Sequence, residues 1–445
     1  MKKNKDFFNK ILISISTLFY SLSNFVFVYL LTRNMLPEEY GKLNSILIYG
    51  TLISLVLING VDQVIMRYYY TKNIKIILKN YFYIFTSLNI ILIIIIYVIY
   101  SFTNHNYLLL LVYSNFLTIF RIFNIIIRMN GNSLNYAFYN IFSKLIELLL
   151  VLIFIYYNTL NYKFAIYSYI LSIIIATIIL LYFINLDNGV DYSSFLSFKY
   201  QISYAIPMFI AVLVTTLSQN IDKILLPLFV STYKVGIYFS AFKLTSALMI
   251  IQSIFSLIWI PNIIKKYENN ESINLNKIFN DLQAIITVLV VIFLLINNQI
   301  VKFLGEEFIE SKTILPILIL VPCLLLLSEI GSIGISLKEK SKIHMLNSLI
   351  YLFSSGLLTI FLSQTQNLLL ISIGIVFSTY IFYLARTYIG TYLLNIKINF
   401  IKIEFINFTL FIIIFLKVFN YNYAYICSSI FIIFVVIITT LRRYL

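Results

Sequence analysis

Tyr81-Phe82-Tyr83-Ile84-Phe85-Thr86-Ser87-Leu88-Asn89-Ile90-Ile91-Leu92-Ile93-Ile94-Ile95-Ile96-Tyr97-Val98-Ile99-Tyr100 carries no charged side chain over 20 consecutive residues. A helix rises about 1.5 Å per residue, so such a run covers the roughly 30 Å hydrocarbon core of a bilayer. Outward from it, comparable apolar runs recur at 9–32, 43–65, 107–128, 134–157, 163–185, 202–228, 236–260, 278–299, 313–337, 344–363, 368–394, 404–420 and 423–441, which with 81–100 makes 14 expected spans. The whole chain agrees: 61% of its 445 residues are hydrophobic and 11% are charged, with a mean hydropathy of +0.95. Globular proteins carry roughly 25% charged residues. A soluble enzyme is therefore excluded, and the expected fold class is an all-α polytopic membrane protein.

Lys and Arg number 32 against 17 Asp and Glu, a net charge of +15. Nucleic-acid binding would need those cations clustered on a wetted surface. They are scattered between apolar runs instead, so no nucleic-acid partner is expected. Cys323 and Cys427 sit in apolar stretches without disulfide or metal spacing, and His105 and His344 are isolated, so neither a metal nor another cofactor is expected. There is no phosphate-binding glycine loop and no Ser/His/Asp grouping in a polar segment, which leaves nothing for an ATP-driven pump or a hydrolase. The expectation is a protein that is not an enzyme. Lys2-Lys3-Asn4-Lys5 is followed by an apolar run that lacks a small-residue cleavage site and continues to Leu31, which reads as a first retained span.

Counting Lys and Arg on the two sides of the 14-span arrangement gives 20 on the side of the N-terminus and 6 on the other. The positive-inside rule then places both termini in the cytoplasm. Loops do not exceed about twenty residues, so the function is expected inside the membrane. The most polar connection, Asp187-Asn188-Gly189-Val190-Asp191-Tyr192-Ser193-Ser194, follows six spans and marks the expected boundary between an N-terminal lobe (1–190) and a C-terminal lobe (195–394), with a helix pair at 400–445.

Equal lobes invite a search for a repeat, because transporters are commonly built from duplicated bundles. Leu30-Leu31-Thr32-Arg33 through Gly41 and Leu225-Leu226-Pro227-Leu228 through Gly236 share a Leu-Leu start, a length and a closing glycine at an offset of 195. The expected relation is an approximate two-fold axis along the membrane normal around a central cavity, with the last two spans attached outside it.

The same residues carry a family resemblance. Leu31-Thr32-Arg33-Asn34-Met35-Leu36-Pro37-Glu38-Glu39-Tyr40-Gly41 resembles the loop after the first helix of bacterial polysaccharide and O-antigen flippases, in the multidrug/oligosaccharidyl-lipid/polysaccharide (MOP) exporter superfamily. Gly60-Val61-Asp62 with Arg67-Tyr68 is similar to the end of that family's second helix. Tyr204-Ala205-Ile206-Pro207, Asp222-Lys223, Val235-Gly236-Ile237-Tyr238, Trp259-Ile260-Pro261 and Gly305-Glu306-Glu307-Phe308 follow in the family's order. The resemblance implies a twelve- or fourteen-helix secondary transporter in the bacterial cytoplasmic membrane. It would flip polyprenyl-diphosphate-linked oligosaccharide from the inner to the outer leaflet for O-antigen, capsule or similar assembly, beside a polysaccharide polymerase and chain-length proteins.

Independently of family, a transporter must line a wet path, and several spans carry polar residues at helical spacing. The charges are the informative members: each ionised side chain near the bilayer centre costs roughly 2.5–3.5 kcal/mol on insertion scales. Arg121, Lys144, Lys223, Lys243 and Arg386 are therefore the candidate substrate-binding cations, able to hold a diphosphate at successive depths. Asp62, Glu147, Asp222 and Glu329 are the candidate pairing or ion-coupling acids, with Lys144 and Glu147 one turn apart also readable as an interhelical clamp. On the transport reading, Gln at position 121 or 144 stops export and leaves protein level intact. Two alternatives stand beside the flippase: an ion-coupled multidrug exporter of the same superfamily using those acids, and a membrane glycan polymerase or ligase, which would need a longer outer loop.

Overall fold

The computed structural model describes residues 22–103, 107–130, 133–183, 197–269, 274–395 and 400–418, with Ser16, Phe19 and Glu271 as single positions outside those ranges. The first helix, α1 (22–34), is followed by α2 (Pro37–Ile58), α3 (Val61–Tyr68), α4 (Ile74–Thr103), α5 (Leu108–Met129), α6 (Ser133–Tyr156), α7 (Tyr162–Phe183) and α8 (Phe198–Phe229). Then come α9 (Thr232–Thr245), α10 (Ala247–Glu268), α11 (Leu275–Leu295), α12 (Asn297–Lys302), a 3-10 turn (Glu306–Phe308), α13 (Ser311–Leu318), α14 (Leu320–Leu337), α15 (Ser341–Ser363), α16 (Leu368–Leu393) and α17 (Phe400–Val418). Among the described residues there is no strand, and 10 helical stretches are long and apolar enough to cross a membrane. The chain is an all-α, multi-pass membrane protein. Every expected span that has described residues is helical; the expected span 423–441, Cys427, His105 and the polar connection 187–194 lie outside them.

Asparagine starts many of these helices. The side chains of Asn73, Asn161, Asn274 and Asn367 each accept from a backbone N–H two or three residues on, at 3.0 Å, satisfying donors that a helix N-terminus leaves open. Pro37 opens α2 with Glu38 and Glu39 in the first turn, where a missing N–H is harmless and negative charge meets the helix dipole.

Four expected spans are broken where the sequence reading had them continuous. The span 43–65 ends at Asn59-Gly60, both in the left-handed region (φ 44° and 75°), and a side chain at Gly60 would meet the Ala205 carbonyl oxygen 2.4 Å away. The span 236–260 turns at Ser246, where Thr245 and Ser246 donate to the carbonyls of Phe242 and Lys243 at 2.9 and 2.6 Å; such back-bonding bends helices. The span 313–337 breaks at Ile319 because Pro322 has no N–H for the Leu318 carbonyl. The span 278–299 ends at Ile296, and the next residue, buried Asn297, donates to the Lys312 carbonyl at 3.3 Å, the acceptor that Pro316 leaves without its helical donor.

By packing, the chain divides into two units, one of Met1–Met35 with Lys42–Thr216, the other of Leu36–Gly41 with Leu217–Leu445. The division falls inside α8, and the reason lies in its first turns. Gln201 donates to the Ile77 carbonyl (3.3 Å), Tyr204 stands edge-on to Tyr68, and Ala205 joins the core of Val61, Val64, Ile65, Ile74 and Ile77. In the second unit α14 is almost wholly buried, between α15, α16 and α10 among others.

The hexapeptide Leu36–Gly41 belongs to that second unit through contacts that follow the repeat. A Cβ at Gly41 would lie 2.1 Å from the Thr232 carbonyl oxygen, and one at Gly236 would lie 1.9 Å from that of Pro37. Adding 195 to 37 and 41 gives 232 and 236, so the two contacts are the same contact read in both directions. Tyr40 completes the junction, fully buried and edge-on to Phe308 at 5.6 Å. Segments that carried the family resemblance thus converge on one packed joint.

Candidate functional site

The first unit holds a cavity of about 270 Å³ lined by Leu55, Ile58, Asp62, Phe120, Arg121, Asn124, Ile125, Arg128 and Tyr136. One face of α5 supplies it: positions 121, 124, 125 and 128 recur at three, four and seven residues, which stacks their side chains over two turns. Arg128 falls in the last turn of α5, where the helix dipole favours a cation. Asp62 enters from the first turn of α3, directly after the Asn59-Gly60 break, and accepts from the Gln63 amide at 2.9 Å. Asn124 is held by a reciprocal amide pair with Asn140 on α6, at 3.0 and 3.2 Å. The polar part of the lining is therefore two guanidiniums, one carboxylate, an amide and a phenol. An array of that kind can hold an anion through parallel N–H donors.

Three of the other candidate cations are matched to candidate acids. Lys144 Nζ lies 2.8 Å from Glu147 Oε1 on α6, both side chains buried, with the rings of Tyr169 and Phe27 at 5.1 and 5.5 Å. Lys223 Nζ lies 3.0 Å from both carboxylate oxygens of Asp222, 3.9 Å over the Phe242 ring, while Tyr238 donates to Asp222 at 2.6 Å. Arg386 donates to Ser328 (3.0 Å), Ser332 (2.9 Å) and Glu329 (3.4 Å), and Gln252 also donates to Glu329 at 3.3 Å. A paired charge in a low-dielectric interior is far cheaper than a lone one, and each pair here gains hydrogen bonds or an aromatic face besides. Lys243 sits half-buried in the last turn of α9. The structure thus brings Arg121 and Asp62 to one cavity and pairs Lys144 with Glu147, Lys223 with Asp222 and Arg386 with Glu329.

Two residue groups lie outside the candidates named from sequence. Arg128 shares the polar stripe of its span with Ser114, Thr118 and Arg121 but is not among the candidate substrate-binding cations, and the cavity takes it beside Arg121. Glu404, placed at the edge of a span, accepts instead from Tyr380 (2.5 Å) and Tyr383 (3.0 Å) in the middle of α16. Among the described residues no group of His, Cys, Asp and Glu has the makings of a metal site.

The sequence matches no family model and no curated protein. Solved structures do match. A lipid II flippase MurJ in an inward closed conformation is similar over 98% of this chain and 99% of its own, with a TM-score of 0.72 at 14% identity. An inward-facing multidrug resistance MATE family transporter of the MOP superfamily matches over 87% and 95%, with a TM-score of 0.63 at 16% identity. A MATE bound to MaD5 matches over 89% and 94%, with a TM-score of 0.57 at 16% identity. At these identities the likeness is one of fold, shared with a lipid II flippase and with MATE transporters.

Proposed function

We propose that this chain, built on the fold shared by a lipid II flippase and multidrug MATE transporters, is a secondary transporter that flips polyprenyl-diphosphate-linked oligosaccharide units across the bacterial cytoplasmic membrane for surface polysaccharide assembly. The observation that carries the reading is the cavity with Arg121 and Arg128 against Asp62. Its lining has an excess of positive charge, while Lys144, Lys223 and Arg386 are neutralised by neighbouring acids. An exporter of cationic drugs would favour the opposite sign. A lipid diphosphate offers two anionic groups to parallel guanidinium donors, and its tail can remain in hydrocarbon while the head passes. The lipid II flippase of matching fold acts on a lipid-linked substrate by its name, which favours the same cargo class here. On this reading both termini are cytoplasmic, and a polymerase with its chain-length proteins consumes the exported unit.

Deleting the protein in its native host and fractionating lipid-linked glycan between leaflets tests this. Accumulation on the inner leaflet, reversed by the wild type and not by Arg121→Gln, is expected. An unchanged leaflet distribution together with heightened sensitivity to cationic drugs would replace the flippase with a multidrug exporter.

A further inference from the structure

Basic residues gather at one end of the first unit, where α3 ends and α4 and α8 begin. Arg67 is in the last turn of α3, Lys72 in the connection, Lys75 and Lys79 in the first two turns of α4, and Lys199 is the second residue of α8. All are exposed except half-buried Lys72. Contacts between the helices bring these distant stretches of chain to one surface. Asn80, next to Lys79, donates to Gln201 at 3.2 Å, and Gln201 donates to the Ile77 carbonyl at 3.3 Å. Tyr68, next to Arg67, stands edge-on to Tyr200 and Tyr204. Its hydroxyl donates to that of exposed Tyr200 at 3.3 Å, so the Tyr200 hydrogen remains for an outside acceptor. The acids nearest in sequence are Asp62, which lines the cavity, and Asp187 and Asp191, outside the described residues. Were all three set against the cations, positive charge would still be in excess.

Beyond this surface both helices turn from basic to apolar along one face. On α4, Lys75 and Lys79 are followed at helical spacing by exposed Phe82 and Tyr83; on α8, Lys199 is followed by exposed Ile206 and Ile210. Among the described residues, α4 is also the least buried of the candidate spans. We propose that this surface binds anionic phospholipids of the adjoining leaflet, with the phosphate on the lysines and the Tyr200 hydroxyl and the acyl chains along the apolar stripes. A lysine is a compact point charge that suits a phosphate in many orientations, and tyrosine favours the headgroup level of a bilayer. Each Lys or Arg near a negatively charged leaflet contributes roughly fivefold in affinity. A free anion would answer the cations and leave the stripes unused, whereas a phospholipid answers both. Because Gln201 and Ala205 pack on the first unit, lipid bound here would hold the start of α8 beside α4. The binding does not depend on the flippase reading.

Native mass spectrometry of the full-length protein, titrated with phosphatidylglycerol or phosphatidylcholine, reads this binding directly. The wild type should take up phosphatidylglycerol in preference to phosphatidylcholine. Lys75→Gln with Lys79→Gln and Lys199→Gln should weaken phosphatidylglycerol uptake about tenfold or more and leave phosphatidylcholine uptake unchanged. Tyr200→Phe should weaken it to a smaller degree. Lys265→Gln with Lys266→Gln and Lys277→Gln removes the same charge at the α10–α11 connection of the second unit, and should keep the wild-type preference. All these substituted side chains are exposed, so folded protein is expected throughout. No preference in the wild type, or equal loss in the two triple variants, overturns the proposal. So does displacement of phosphatidylglycerol by an equal concentration of inorganic phosphate. Uptake of polyprenyl diphosphate in preference to phosphatidylglycerol, abolished by the changes at 75, 79 and 199, would give the surface to the cargo and overturn it too.

Discussion

Lys144 and Glu147 show how a single partner changes what a residue is for. Their 2.8 Å contact is buried from water and walled by Phe27 and Tyr169. Removing one member strands a buried charge, at a cost of about 3–5 kcal/mol. Lys144→Gln, expected from sequence alone to spare protein level, is now expected to lower folded protein in the membrane, and Lys144→Gln with Glu147→Gln to restore much of it. Arg121→Gln carries the opposite expectation: it trims one of two guanidiniums in a cavity with a single carboxylate, so folded protein persists and glycan export falls at least tenfold. Quantifying membrane-inserted protein beside export separates the two. If Lys144→Gln is as abundant as wild type, the clamp assignment fails. The charged residues themselves were legible, because charge inside an apolar run stands out. Their pairing was legible only for neighbours in sequence, Lys144 with Glu147 and Asp222 with Lys223. Arg386 with Glu329 needed the packing of α16 on α14.

At the scale of elements, the joint between the starts of α2 and α9 makes a sharp prediction. Gly41→Ala and Gly236→Ala each drive a methyl group to about 2 Å from a backbone carbonyl oxygen, which cannot be relieved by a rotamer change. Overpacking of this kind costs roughly 1–3 kcal/mol. Gly356→Ala is the control, since its new methyl group would meet the Ile221 side chain no closer than 3.4 Å. Thermal denaturation in detergent should show a clear drop for the first two and little change for the third; equal behaviour of all three would dissolve the joint. Asn297→Leu should also destabilise, by about 1–3 kcal/mol, because the Lys312 carbonyl loses the donor that stands in for Pro316. Helix existence followed from apolar runs of span length. Helix breaks did not, because they depend on hydroxyl back-bonding at Ser246, on positive φ at Asn59-Gly60 and on which carbonyls two prolines leave open. Glu404 was missed for a related reason: its position in sequence marks the start of a helix, while the tyrosines that donate to it, Tyr380 and Tyr383, stand on the preceding helix.

For the whole molecule, the 20:6 division of cations predicts that Lys75 faces the cytoplasm while Glu38 and Glu306 face outward. Single-cysteine labelling of intact cells at these positions should modify 38 and 306 and spare 75; the reverse pattern inverts the topology. All-α architecture and many spans could be read from composition alone, and the fold shared with a lipid II flippase over 98% of this chain and with a MATE transporter over 87% is the kind of fold the resemblance carried by 31–41 and 204–261 implies. The cargo could not be read in the same way, since an excess of guanidinium over carboxylate selects the sign of a substrate and not its sugars. The central claim is movement of a lipid-linked anion, and purified protein in vesicles tests it most directly. Vesicles are loaded symmetrically with labelled polyprenyl-diphosphate oligosaccharide, and label is then destroyed from outside. Wild-type protein should make nearly all the label accessible where protein-free and Arg121→Gln vesicles protect about half, whereas equal protection in all three would contradict the account.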